Sequence, residues 1–127
     1  MEIRTHDPRE GIYATDDWVH AVEVRAAQRT VYLSGTMGLD ADSTPGADLD
    51  AQLKLVWANI RTILAAADMT VDNIVRVTSY LRDASYAGPN AAARVAALGG
   101  RAVATTAIIV QTLSEDWLVE IEVIAAD

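Results

Sequence analysis

The segment Leu118–Ala125 alternates without a break, with Val119, Ile121 and Val123 on one side and Glu120 and Glu122 on the other. Neighbouring side chains on a strand point to opposite faces, so this is a strand with one face packed on a core. A slip of one residue would bury both carboxylates and expose the apolar set, so the pattern fixes the orientation of the strand as well as its existence. The acidic side is left to face solvent or a polar cavity between subunits.

The chain has 127 residues, 51% of them hydrophobic, which suits a single domain spanning 1–127 around one core. It has no cysteine, which removes disulfides, thiolate metal sites and cysteine nucleophiles together and leaves stability to packing. A net charge of −8 with no basic run opposes phosphate backbones and anionic headgroups, so neither nucleic acid nor membrane is an expected partner. The first residues carry no apolar run of the leader type, and no segment reaches membrane-spanning length, so a cytoplasmic location is expected. His6 and His20 are far apart and in no ligand spacing, and no metal site is expected.

Along the chain, residues 1–17 are polar and turn-rich, and Trp18–Val24 reads as a strand with Trp18, His20, Val22 and Val24 on one face. Arg25–Arg29 turns into a second strand, Thr30–Gly35, and the short gap predicts an antiparallel hairpin. Gly35 and Gly38 break that run, and Asp40–Asp48, containing Pro45 and Gly46, is a surface loop. From Leu49 to Ala67 the residues Leu53, Val56, Trp57, Ile60, Ile63, Leu64 and Ala67 recur at spacings of three and four, predicting a helix with one buried stripe. Ile74–Leu81 has the β-branched content of a third strand. Asn90–Leu98 is an alanine-rich helix stopped by Gly99 and Gly100, and Asp83–Pro89 before it is a loop. Strands over 104–110 and 118–125 complete the chain, separated by the turn Ser114–Asp116.

The order β, β, α, β, α, β, β is an α+β architecture, one sheet with two helices on one face. The uncovered face is expected to carry Leu118, Ile124, Thr105, Ala107 and Ile109. A face this apolar predicts a closed homo-oligomer.

These segments together resemble the RidA/YjgF family. The resemblance is carried by Val31–Thr36, by Asn59-Ile60 and the helix end Ala65–Ala67, by Ile74–Leu81 with Arg82-Asp83 after it, by Asn90, and most specifically by Leu118–Ala125. It implies a chorismate-mutase-like homotrimer, its mixed β-sheet covered on one face by two helices, with clefts between subunits and no cofactor. It further implies hydrolysis of reactive enamines or imines. Glu120 resembles the family's acidic residue that holds the attacking water, Gly35 the glycine whose backbone approaches the ligand, and Asn90 a polar cleft residue. For the cleft aromatic, Gly11-Ile12-Tyr13 resembles the family's opening motif, while Trp18–Val22 better fits the spacing to Ser34; Trp18 is preferred and Tyr13 is the alternative.

One departure bears on substrate. Deaminating members carry Pro-Ala-Arg-Ser where this chain has Val103-Ala104-Thr105-Thr106, so Thr105 replaces the arginine that forks onto a substrate carboxylate. A neutral hydroxyl supplies neither the charge nor the bidentate orientation of a guanidinium. Thr105 and Ala107 remain expected ligand contacts, and Arg76, Arg94 and Arg101 are candidates to supply the missing cation.

The expected function is therefore that of a cofactor-independent hydrolase or deaminase of a small imine or enamine, with Glu120 as its acid and base. The alternative is a trimer on the same scaffold that binds a small molecule without turning it over. RNA cleavage ranks third, since the net charge weakens phosphate attraction. Glu122 reads as structural, paired across a strand. Ser34-Gly35-Thr36 has no accompanying histidine and acid in a nucleophile's context, so a serine nucleophile is rejected.

Overall fold

The helix expected over 49–67 is α1 (Leu49–Ala66) in the computed structural model, which describes residues 1–127. Asp48 caps it, its carboxylate accepting from the Ala51 amide, and the stripe Leu53, Val56, Trp57, Ile60 and Leu64 is buried. Ile63, assigned to that stripe from its spacing, is instead 42% exposed at the margin of the packed face. The second helix, α2 (Ala87–Ala97), starts three residues before the predicted Asn90. A 3-10 turn at Ala84–Tyr86, capped by Asp83, leads into it. Pro89 sits in its first turn, where a missing amide hydrogen loses no helical bond. Gly99 and Gly100, at φ +61° and +82°, end it in the left-handed region that glycine enters without strain. No helix is long and apolar enough to cross a membrane.

The main sheet contains β3 (Thr30–Tyr32), β4 (Thr36–Met37), β5 (Ile74–Leu81), β6 (Ala104–Ile109) and β7 (Val119–Ala126). Its order is β3-β7-β5-β6, with β4 also paired to β7. The pairings are antiparallel except for β5 with β6, so the sheet is mixed. Both helices pack into the core on one side of it, and β7 and β5 are its interior strands. On β7, Val119, Ile121 and Ala125 are fully buried and pack in one core with Val77 and Leu81 of β5 and with Val56, Ile60 and Leu64 of α1.

The predicted hairpin between 18–24 and 30–35 does not form. A strand that was not anticipated, β1 (Glu2–His6), takes β2 (Ala21–Arg25) as its antiparallel partner in a separate two-stranded sheet. Ala26 turns the chain away at φ +54°, and β3 is drawn instead to the far end of β7. There the Gln28 amide donates to the Asp127 carbonyl at 2.7 Å and the Arg29 guanidinium pairs with the Asp127 carboxylate. Trp18–His20 lies outside any strand and touches the sheet through one parallel bridge, Val19 to Ala104.

The register also corrects the composition of the uncovered face. On β5 and β6, Val77 pairs with Thr105, Thr78 with Thr106, Ser79 with Ala107 and Leu81 with Ile109. Thr105, Ala107 and Ile109 therefore share the side of buried Val77 and Leu81. Thr106 and Ile108 share the side of Thr78, Tyr80, Glu120 and Glu122. The expectation that Thr105, Ala107 and Ile109 face the same way as the two glutamates fails by one residue, because parallel pairing with β5 sets the phase of β6 independently of β7.

Gln52 joins these parts. It is 2% exposed, its amide donates to the carbonyls of Gly46 (3.0 Å) and Asp116 (2.9 Å), and its oxygen accepts from the Leu118 amide (2.9 Å). One side chain of α1 thereby satisfies the loop before the helix and the entrance to β7. Gln52→Leu keeps the size and leaves three backbone groups without this partner. It should lower stability by about 2–4 kcal/mol, read as a fall in the urea midpoint at unchanged slope. A change below about 0.5 kcal/mol would show that the bonds are readily replaced.

Candidate functional site

Glu120 sits on β7 between Tyr80 of β5 and Met37 of β4, on the side of the sheet away from the helices. Just before β4, Gly35 lies directly beneath its carboxylate: a methyl group built there would be 2.1 Å from Glu120 Oε1 and 2.9 Å from its Cδ. A larger residue at this position would push the Glu120 carboxylate out of its present place. Gly35 and Glu120 line one pocket of about 380 Å³ with Tyr80, Glu122 and the stretch Val110–Leu113. Arg82 shapes its rim, its Nη1 donating to Thr112 Oγ1 at 2.9 Å and to the Thr112 and Ser114 carbonyls at 3.2 and 3.3 Å.

Inside the pocket the Tyr80 hydroxyl donates to Glu122 Oε1 at 2.6 Å. That bond holds the phenol above its ordinary pKa, with burial and the charges of Glu122 and Glu120 acting in the same direction. Tyr80 is thus a neutral donor that fixes one oxygen of Glu122. Sequence reasoning assigned Glu122 a structural role and overlooked Tyr80. The alternation on β5, with Arg76, Thr78 and Tyr80 opposite the buried Val77 and Leu81, was the signal that places Tyr80 beside the acidic side of β7.

The remaining expected residues form a second group. Trp18 and Tyr13 are 6.4 Å apart by ring centroids, and His20 meets each edge-on at 5.3 and 5.0 Å. Asp7 organises this segment, accepting from the Thr15 hydroxyl (2.7 Å) and the His20 amide (3.1 Å), and the Thr15 bond leads in holding its carboxyl below the usual value. Arg94, 5% exposed on α2, donates to the carbonyl and carboxylate of Asp17 at 2.9 and 2.6 Å, tying the aromatic segment to that helix. Asn90 precedes Arg94 by one helical turn and shares its face. It is 3% exposed, and its Oδ1 has no hydrogen-bond partner. The Val19 amide donates to the Val103 carbonyl at 3.2 Å, placing the aromatics beside the start of β6 and Thr105.

Glu120 and Gly35 are thus brought together, while Asn90, Trp18, Tyr13, Thr105 and Ala107 do not line their pocket. Two candidate cations are engaged elsewhere, Arg94 by Asp17 and Arg101 by the Val71 carbonyl at 2.8 Å. Arg76 is on the Glu120 side of the sheet and donates to Thr106 Oγ1 at 2.9 Å. A larger groove of about 860 Å³ runs between α1 and α2 over Leu53, Trp57 and Ala93, and none of the expected site residues lines it.

A mixed sheet backed by two helices, with a strand carboxylate seated over a glycine backbone, defines a small α+β protein with a pocket on its open face. The chain belongs to the endoribonuclease L-PSP family, whose model matches residues 9–127. It is 35% identical to the RutC family protein UK114 of Drosophila melanogaster over 102 residues, 78% of this chain and 73% of that one. It is 33% identical over 75 residues to the RutC family protein YjgH of Escherichia coli, 59% of this chain and 55% of the relative. Its structure is similar to that of a Rid-family protein of unknown function from Yersinia pestis, with TM-score 0.87, 30% identity and both chains covered completely. It is also similar to RidA from an Antarctic Psychrobacter, with TM-score 0.73, 29% identity and 98% and 99% of the two chains covered.

The Tyr80–Glu122 bond has a titration signature. It favours the protonated phenol, so its stabilisation is complete below the unfolded tyrosine value of about 10 and is lost as pH rises through the higher folded value. Phenolate absorbance should show one of the four tyrosines ionising late. That phase should vanish in Tyr80→Phe and move down in Glu122→Gln. An unaltered profile in Glu122→Gln would contradict the bond.

Proposed function

We propose that this chain is a cofactor-independent hydrolase of a small reactive imine or enamine, working in the cytoplasm as a homotrimer. Glu120 holds and deprotonates the attacking water. The observation that carries this reading is the Glu120 carboxylate seated against Gly35 at the floor of a pocket on the open face, in a chain of this family. Water oxygen adds to the electrophilic carbon as Glu120 takes its proton. The same carboxyl passes a proton to nitrogen, the carbon–nitrogen bond breaks as the new hydroxyl returns its proton to the carboxylate, and amine and carbonyl products leave. One carboxyl of adjustable protonation is sufficient for the cycle.

The second group of residues completes the cleft from a neighbouring copy: Asn90 and Thr105 as polar contacts, Ala107 beside them, and Trp18, or alternatively Tyr13, as the apolar wall. The outer edge of β6 supports such an assembly. Beyond the Val19 bridge it has no strand partner, and Ile108, Ile109 and the nearby Leu113 are exposed. An unpaired edge with apolar side chains is a surface that associates. Thr105, in the position of the family's arginine, sets this chain apart in substrate preference.

Glu120→Gln keeps shape and hydrogen bonding and removes the base. It should lower kcat/KM for imine hydrolysis by about 10²–10⁴ while product binding is retained. Equal turnover by the variant would leave the non-catalytic binding trimer as the better account. Sedimentation at micromolar concentration should give a three-chain species, and a monomer would leave the cleft incomplete.

A further inference from the structure

The Glu120 pocket has eight lining residues, of which two are carboxylates and none is Lys or Arg. Glu120 and Glu122 project to the same side of β7, about 7 Å apart along the strand. The chain has ten Lys and Arg in all. Six of them pair with carboxylates. Arg82 and Arg101 are bound to backbone carbonyls, and Arg61 lies in the groove between the helices. Arg76 is the remaining one. It lies on the far side of Glu122, lining an adjoining pocket of about 200 Å³, and its guanidinium donates to Thr106. A second copy of the chain brings the same inventory, with Thr105 where the family arginine would stand.

From this arrangement we infer that the site's substrate is a cationic iminium bearing no carboxylate, with Glu122 as its counter-charge. The inference rests on the imine-hydrolase reading above. A substrate carboxylate would meet two like charges there with no guanidinium lining the same pocket to compensate, Arg76 being turned to Thr106 in the adjoining one. An iminium meets the opposite. Tyr80 occupies Oε1 of Glu122 and leaves Oε2 for the N–H of the substrate. Proximity to that carboxylate favours the protonated imine over the neutral one, and the protonated form is the one whose carbon water attacks.

The reaction balances without an added reagent. A water lone pair forms the carbon–oxygen bond as the carbon–nitrogen π pair moves to nitrogen and Glu120 takes the water proton, giving a neutral carbinolamine. Glu120 returns that proton to nitrogen. The carbon–nitrogen bond then breaks as the carbinolamine hydroxyl loses its proton to Glu120, and Glu120 passes that proton to the departing ammonia, which leaves as ammonium while the carboxylate is regenerated. Iminium and water thus become carbonyl and ammonium, positive charge being present at the start and at the end, and Glu122 faces the nitrogen throughout.

The test measures ammonia release above the uncatalysed rate from two probes made in situ: the benzylamine iminium supplied by a monoamine oxidase, and the leucine imino acid supplied by an amino-acid oxidase. The wild-type chain should prefer the benzylamine iminium by about tenfold or more, and Glu122→Gln should narrow that ratio about tenfold. Glu120→Gln should abolish acceleration of both. A preference for the imino acid, or a ratio unaltered by Glu122→Gln while Glu120→Gln is inactive, overturns the cationic substrate and leaves the hydrolase standing. Imino-acid turnover that is lost in Arg76→Gln would assign the carboxylate clamp to Arg76 and likewise overturn it. If Glu120→Gln retains the wild-type rate, or the wild type accelerates neither probe, the hydrolase reading fails and the inference fails with it.

Discussion

The pleat of β7 is the constraint to which the rest of the molecule refers. Its Val119, Ile121 and Ala125 are fully buried against α1 and β5, and it is paired on both edges, with β3 and β4 on one side and β5 on the other. Sliding it by one residue would exchange that apolar set for two carboxylates, at a desolvation cost of several kcal/mol for each unpaired charge. The core therefore locks Glu120 and Glu122 onto the uncovered side. Stability and site geometry have a common origin, since the burial that folds the chain also aims the two acids.

Around that strand, polar side chains on rigid elements hold the parts that approach the carboxylates. Gln52 closes the entrance to β7, and the Asn59 amide donates to the carbonyls of Met37 and Leu39 at 3.1 and 2.9 Å, pinning β4 and the start of the next loop against α1. Arg82 fixes the rim of the pocket from the end of β5. Each of these bonds satisfies backbone groups that a loop would otherwise leave exposed or unpaired. The result is a preorganised floor, in which Gly35 meets Glu120 with no side chain between them.

Periodicity made the core legible: the stripe of α1 and the alternation of β7 each state a period and a buried face over many residues. It failed where a partner strand decides. Trp18–Val24 has strand composition, yet which strand it joins depends on Glu2–His6, whose charged alternation carries no core signal. The phase of β6 was misjudged because Thr105, Thr106, Ala107, Ile108 and Ile109 present no polar alternation, so only the pairing with β5 shows that Thr106 and Ile108 face the glutamates. Of the candidate site, Glu120 and Gly35 were readable as a pair. Tyr80 was not, because a tyrosine between serine and leucine on a strand looks like packing until β7 is laid beside it.

The family is named for an endoribonuclease, whereas a chain of net charge −8 with two carboxylates in its pocket is poorly matched to a polyanion. The proposed substrate, a small cationic electrophile, is better matched to that charge. The central claim, that Glu120 from one copy works with Asn90 from another, is tested most directly by mixing variants. Glu120→Gln and Asn90→Ala, each confirmed as folded by near-ultraviolet circular dichroism, are unfolded and refolded together in equal amounts. Random assembly should restore about a quarter of the wild-type hydrolytic rate, because that share of interfaces joins an intact Glu120 to an intact Asn90. A mixture no more active than the separate variants would place the whole site within one chain and contradict the account.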